Sequence, residues 1–199
     1  TFLLFVSESI LKILINSKTQ KNDIAALIKS GVPFDQRSLF EIVKDYKKEG
    51  KHYFTAVQTG SFKRLFGKPL LVNGKEYVAF GGVANADVIL CNELGYYASY
   101  SSDYLGFNNP PQVWLSNIKI AFLGDSFVHG HCLKPGDSFV DLVRKPIPQT
   151  VNLGFANNGP LSEWAAYKEY LATKKVDFVF WVYYEGNDLH NLNAELSHP

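Results

Sequence analysis

The sequence predicts an α/β protein whose second half is built on a parallel sheet. Three apolar runs carry this expectation: "IKIAFLG" (118–124), "TVNLG" (150–154) and "VDFVFWVYY" (176–184). Each has the length and continuity of a strand buried on both faces. Between them lie helical patterns. "DSFVDLVR" (137–144) puts Phe139, Val140 and Val143 on one face, and "GPLSEWAAYKEYLATKK" (159–175) has Pro160 in its first turn, where proline is tolerated. Strand, helix, strand, helix, strand is the order of βαβ units in a sheet covered on both sides.

Residues 15–115 read as a smaller mixed α/β region. "NDIAALIKSG" (22–31) spaces Ile24, Leu27 and Ile28 helically and stops at Gly31. "FDQRSLFEIVKDYKKEG" (34–50) has Asp35 as the expected N-cap, Leu39, Ile42, Val43 and Tyr46 as its apolar face, and Gly50 as its end. "LLVNGKEYVAF" (70–80) is an expected hairpin, because Asn73-Gly74 suits a type I′ turn. "DVILC" (87–91) and "YYASY" (96–100) are short strands. Pro110-Pro111 in "SSDYLGFNNPPQVW" is expected to prevent regular structure, and a boundary is placed at about residue 116.

The chain has 199 residues, is 46% apolar and carries 20 basic against 19 acidic residues. It can therefore bury a core, and it has no basic excess to recommend a nucleic-acid partner. It contains no methionine, even at position 1, and begins "TFLLFVSESILKIL". The upstream end is therefore expected to be missing. Residues 1–14 read either as the tail of a membrane anchor or as an amphipathic core helix, in which Glu8 and Lys12 argue against membrane depth. The run is shorter than the ~20 residues that cross a bilayer. Cys91 and Cys132 lack metal-site spacing. They read as two core thiols, or as a disulfide if the protein lies outside the cytoplasm.

In open parallel sheets, ligands gather at the carboxyl ends of the strands. The first run ends in Gly124-Asp125-Ser126, the second in Asn152-Leu153-Gly154 and "FANNG", the third in Glu185-Gly186-Asn187-Asp188. Ser126, at a strand-to-helix turn, is placed to act as a nucleophile. Attack on an ester carbonyl builds an oxyanion, and each preorganised donor to it is worth about 2.7–4 kcal/mol. The N–H of Ser126, an N–H of the "FANNG" loop and the Asn187 amide are the candidate donors. Asp125 is the candidate for holding the turn. Serine acyl transfer needs no cofactor. The plainer readings are an N-cap for Ser126, a turn residue for Asn187, and helix caps for Glu185 and Asp188. A P-loop is excluded, since G-x-x-x-x-G-K-[ST] is absent.

These blocks resemble the SGNH hydrolases, the GDSL esterase/lipase family. Gly124, Asp125 and Ser126 match the first block, and Gly186, Asn187 and Asp188 the third. The resemblance covers roughly residues 116–190. It implies a flavodoxin-like three-layer α/β/α domain, here partial with three parallel strands, that hydrolyses carboxylic esters. "CNELGYY", "SSDYLGFNNP", "GDSFVHG" and "EGNDL" are further similar to a bacterial subgroup with an N-terminal membrane anchor. That implies a membrane-anchored, extracytoplasmic enzyme acting on small-molecule or glycan esters, such as O-acetyl groups of envelope carbohydrate.

Two departures stand out. Where the second block has a glycine, alignment from Asn152 gives Asn157, flanked by Gly154 and Gly159. The family's base histidine, in D-x-x-H, has no counterpart. Glu195 rather than Asp precedes His198 by three positions, and His129 lies too close in sequence to Ser126 to meet it in line, reading instead as a pocket-wall residue. The expectation is a truncated domain whose base lies beyond Pro199. The alternative is a related binding or assembly domain without catalysis.

Overall fold

A computed structural model describes residues 29, 31, 33–56 and 70–197. The opening run over 1–14, and most of the helix expected over 22–31, lie outside these residues. The described chain is mixed α/β, with small parallel sheets and several helices.

α1 (Leu39–Lys48) turns Ile42 inward, with Leu39, Val43 and Tyr46 half-buried beside it. Its N-cap is Ser38, not the expected Asp35. Ser38 Oγ accepts the Glu41 N–H, and Glu41 accepts the Ser38 N–H at 2.7 Å. This reciprocal capping box satisfies two helix-end donors at once. Asp35 instead accepts from the Arg37 backbone and guanidinium. Gly50 closes the helix at φ 76°, as expected.

β1 (Tyr53–Thr55) pairs in parallel with β4 (Asp87–Ile89), which pairs antiparallel with β5 (Ser99–Ser101). β2 (Leu70–Val72) and β3 (Lys75–Tyr77) form the expected hairpin. Asn73 and Gly74 both have positive φ, 52° and 76°, which a type I′ turn requires.

Pro111 opens a short 3₁₀ helix (Pro111–Leu115), where the sequence suggested no regular structure. Proline at the first helical position lacks an N–H that would be unpaired anyway. The preceding polar stretch is built into the interior: Asp103, Phe107 and Asn109 are buried.

The second half is a three-stranded parallel sheet of order β7-β6-β8, from β6 (Ile118–Leu123), β7 (Thr150–Asn152) and β8 (Val176–Trp181). α2 (Ser126–His129) and α3 (Phe139–Arg144) follow β6, α4 (Pro160–Tyr170) follows β7, and α5 (Asp188–Ser197) follows β8. β6 is covered on both faces. Ile118, Ala121 and Leu123 join a core with Phe107, Val151, Leu153 and Phe155, while Phe122 packs with Val128 and Val140.

β8 departs from the fully buried strand its sequence suggests. Phe178, Val179, Phe180 and Trp181 are all exposed, Phe178 at 64%. β8 pairs only with β6 among the described residues, so it forms an edge whose side chains are only partly covered: Phe180 stacks on Phe122 and Trp181 on Trp164. No described helix is long and apolar enough to cross a membrane.

Candidate active site

The first strand exit is shaped by Asp125. It caps α2, with its Oδ1 accepting the Phe127 N–H at 3.0 Å. α2 is a single turn, closed by Gly130 at φ 72° and by His131 N donating to Ser126 O. Ser126 is its first residue, where a backbone N–H has no partner within the helix. The half-buried hydroxyl lies 3.4 Å from Asp125 Oδ2, long for an O–H···O bond, so it is held loosely.

The second exit folds under the first. Phe155 N donates to Gly124 O at 3.2 Å. Gly154 N donates to Asn152 Oδ1 at 2.8 Å, so this N–H is committed inside the loop. Glycine is needed at 154 for space. A Cβ there would lie 2.5 Å from His129 N and closer still to Val128 Cβ. Ala156 N donates to His129 Nδ1, Asn158 N to Phe155 O, and Gly159 N to Glu195 Oε1. Among the described residues the Asn157 N–H alone in this loop has no acceptor. Asn157 is exposed and left-handed, at φ 67°.

The third exit reaches back to the first. Asn187 Nδ2 donates to Asp125 Oδ2 at 3.1 Å, leaving the second amide hydrogen uncommitted. Asp188 accepts the Tyr184 N–H at 2.6 Å and holds the turn into α5; it is the first residue of that helix and bonds the chain before it, rather than capping the helix as expected. Ser126, Asp125 and Asn187 are thus joined through one carboxylate, and the 155–159 loop is tied to the same turn through Gly124.

His129 does not serve Ser126. His129 is fully buried, stacked on Phe155 at 4.8 Å and edge-on to Tyr100 at 5.1 Å. Burial, with a contribution from His131, lowers its pKa to about 3, so the ring is neutral and its Nδ1 lone pair receives the Ala156 N–H. Glu195 accepts from Gly159, Leu161 and Ser162 backbone N–H groups and caps α4. It is not free to orient a histidine. His198 lies outside the described residues.

A network that sequence reading missed supports the site from behind. Asn109 and Asn152 exchange two bonds of 2.8 Å, and Asn152 Nδ2 donates to Val128 O at 2.6 Å. Asn108 Nδ2 donates to His129 O, and a disulfide joins Cys91 to Cys132 just after α2. The segment before residue 116 therefore grips the helix that carries Ser126. Buried asparagines among apolar neighbours were the available signal. Two open concavities of about 370 and 390 Å³ lie beside Arg144, and neither includes Ser126 or Asn187. The serine sits on an open edge beside the exposed rings of Phe127 and Tyr184, 4.7 Å apart.

Glu163 on α4 is fully buried and accepts the Trp181 indole N–H. Burial raises its carboxyl to about 7 from an ordinary 4.5, with Asp188, Asp125 and Glu195 adding to the shift. Between those values the native state holds a proton that the unfolded chain has lost. This contribution is therefore complete below pH 4.5 and is lost as pH rises through about 7. Glu163→Gln is expected to remove that loss, which amounts to about 3 kcal/mol at most. Urea midpoints of both proteins from pH 5 to 8 check it, and a gap that does not widen with pH would contradict it.

Compared with known proteins, the chain matches no family model, no curated sequence and no solved structure.

Proposed function

We propose that this chain is a serine ester hydrolase of the SGNH type, built on a flavodoxin-like domain, with Ser126 as nucleophile. The observation that carries the reading is the joining of three separate strand exits around Ser126, through Phe155 N to Gly124 O and Asn187 Nδ2 to Asp125 Oδ2. The N-cap of α2 is Asp125 rather than Ser126, and a helix cap alone has no need of the other two exits. Ser126 Oγ attacks the ester carbonyl as its proton passes to a base. The Ser126 and Asn157 N–H groups and the free Asn187 amide hydrogen receive the oxyanion. Collapse expels the alcohol, and water releases the acid from the acyl-serine.

The base is a histidine supplied from outside the described residues, since no described imidazole bonds Ser126. A flavodoxin-like sheet also calls for more than three strands. Among the described residues the outer edge of β8 has no partner strand, and Phe178 and Phe180 are exposed there. The substrate class is carboxylic esters, with acyl groups on envelope carbohydrate as the favoured case. The Cys91–Cys132 disulfide supports an extracytoplasmic placement, because disulfides persist in oxidising compartments; membrane anchoring rests on the resemblance alone.

The test supplies a base from solution. Imidazole is expected to support hydrolysis of p-nitrophenyl acetate above the background of Ser126→Ala, and Asn187→Ala is expected to lower that excess roughly 100-fold. Equal rates for wild type and Ser126→Ala at every imidazole concentration would overturn the reading. Turnover without imidazole that needs Ser126 and survives His129→Ala would keep the hydrolase and put its base within the given chain.

A further inference from the structure

We propose that the dithiol form of Cys91 and Cys132, with His131 and Glu93, binds a borderline-soft divalent cation of the Zn²⁺ type. Disulfide and metal centre are then alternative states of one side-chain cluster. This inference is independent of the ester-hydrolase reading.

A disulfide needs no imidazole or carboxylate beside it. Two cysteines suffice for one, yet here an imidazole and a carboxylate converge on the sulfurs. One ligand atom from each of Cys91, Glu93, His131 and Cys132 lies within 4.8 Å of all the others. His131 Nδ1 is 3.1 Å from Cys132 Sγ and 3.4 Å from Cys91 Sγ. Zinc bound at ~2.3 Å by sulfur and ~2.0 Å by imidazole sets neighbouring ligand atoms about 3.6 Å apart in a tetrahedron. The imidazole already stands near that distance from both sulfurs. Two thiolates, one imidazole and one carboxylate make a four-coordinate donor set suited to zinc.

The backbone brings adjacent residues to one point. Gly130 ends α2 in the left-handed region, and Cys132 is itself left-handed at φ 64°. Residues with a β-carbon rarely adopt that conformation, which concentrates at sites where something else imposes it. It lets consecutive side chains, His131 and Cys132, face the same partner loop. Across from them Cys91 and Glu93 sit two residues apart after β4. The four residues range from the buried Cys132 to the exposed Glu93, so an ion has a route in.

The chemistry balances with a named reductant. A dithiol gives up two electrons and two protons and closes to its own disulfide, or a phosphine takes the oxygen of one water and becomes the phosphine oxide while that water's two protons go to sulfur; in both cases the S–S bond breaks and two thiols form. The cation then displaces those protons as it binds the thiolates. Either state ties the exit of α2, and hence Ser126, to the loop after β4.

The full chain is to be reduced with a phosphine and titrated anaerobically with Co²⁺ as the spectroscopic probe. The expected result is one ion per chain, a thiolate-to-cobalt charge-transfer band and the strong visible bands of tetrahedral cobalt. The disulfide form should show none of these. His131→Ala should weaken binding at least tenfold, and the exposed Glu93→Gln, which leaves packing untouched, severalfold. No thiolate band at one equivalent, equal binding by the oxidised protein, or indifference to Glu93→Gln in a chain with native circular dichroism would overturn the proposal.

Discussion

Gly154→Ala is expected to cost about 3 kcal/mol of stability, the upper part of the usual range for overpacking. The added methyl would meet Val128 Cβ and the His129 backbone nitrogen, the latter at 2.5 Å. A flexible side-chain end can swing aside, but a helix backbone and a β-branched carbon cannot. Val128 is fully buried, so α2 must move as a unit. α2 carries Ser126 at one end and the Ala156-binding imidazole at the other, so its displacement also opens the 155–159 loop. Urea unfolding gives the stability loss. Imidazole-supported ester turnover in whatever fraction remains folded should fall with it. A variant with unchanged urea midpoint would mean that α2 does not pack on this strand exit.

Asp103→Ala is expected to cost about 4 kcal/mol and to release the 103–109 segment from the sheet. Asp103 is fully buried, and its carboxylate accepts four bonds. Leu105 N and Phe107 N each donate to Oδ1 at 2.9 Å, while Asn109 Nδ2 and Trp114 Nε1 donate to Oδ2 at 3.0 and 2.7 Å. Removing it takes an acceptor from four N–H groups; those of Phe107 and Asn109 lie in the buried interior, where an orphan is penalised by its own desolvation, and those of Leu105 and Trp114 are half-buried. Asn109 then loses the partner that aims it at Asn152. Asp103→Asn separates the parts. Its oxygen can still serve the two backbone donors, but its NH₂ meets Asn109 and Trp114 donor to donor, so about half the loss should remain. Trp114→Phe, which breaks one bond only, should cost about 1 kcal/mol. Urea titrations of the three variants check this order. Equal losses for all three would show that the carboxylate is not the hub.

The elements that could be read from sequence alone were those whose cause is local. The β2–β3 hairpin follows from Asn73-Gly74, whose backbone preferences select the turn without help from elsewhere. β6, β7 and α4 follow from apolar runs bounded by glycine and proline. The capping box at Ser38 and Glu41 was equally local, and Asp35 was a weaker reading of the same stretch because it lacks an acid three positions on. β1 is only three residues long, too short for alternation to define, whereas "DVILC" and "YYASY" overlap β4 and β5. β8 shows the limit of the apolar-run argument. Hydrophobicity says that a strand would gain by being covered, not that a cover lies within the described chain.

For the site, the sequence by itself determined the turn at Gly124-Asp125-Ser126, the polar exits after β7 and β8, and their order along the chain. Those features depend on neighbours a few residues apart. Only the tertiary structure decided which groups those exits commit. Asn187 bonds Asp125, Gly154 spends its N–H on Asn152 and leaves Asn157 the free donor, and Glu195 caps α4. It also decided that Cys91 and Glu93 meet His131 and Cys132, with the two cysteines 41 positions apart in sequence. The physical reason is that a hydrogen-bond donor or a ligand atom has no fixed partner in sequence. Its partner is whatever acceptor, or whatever sulfur, the packing of strands and helices brings within about 3 Å.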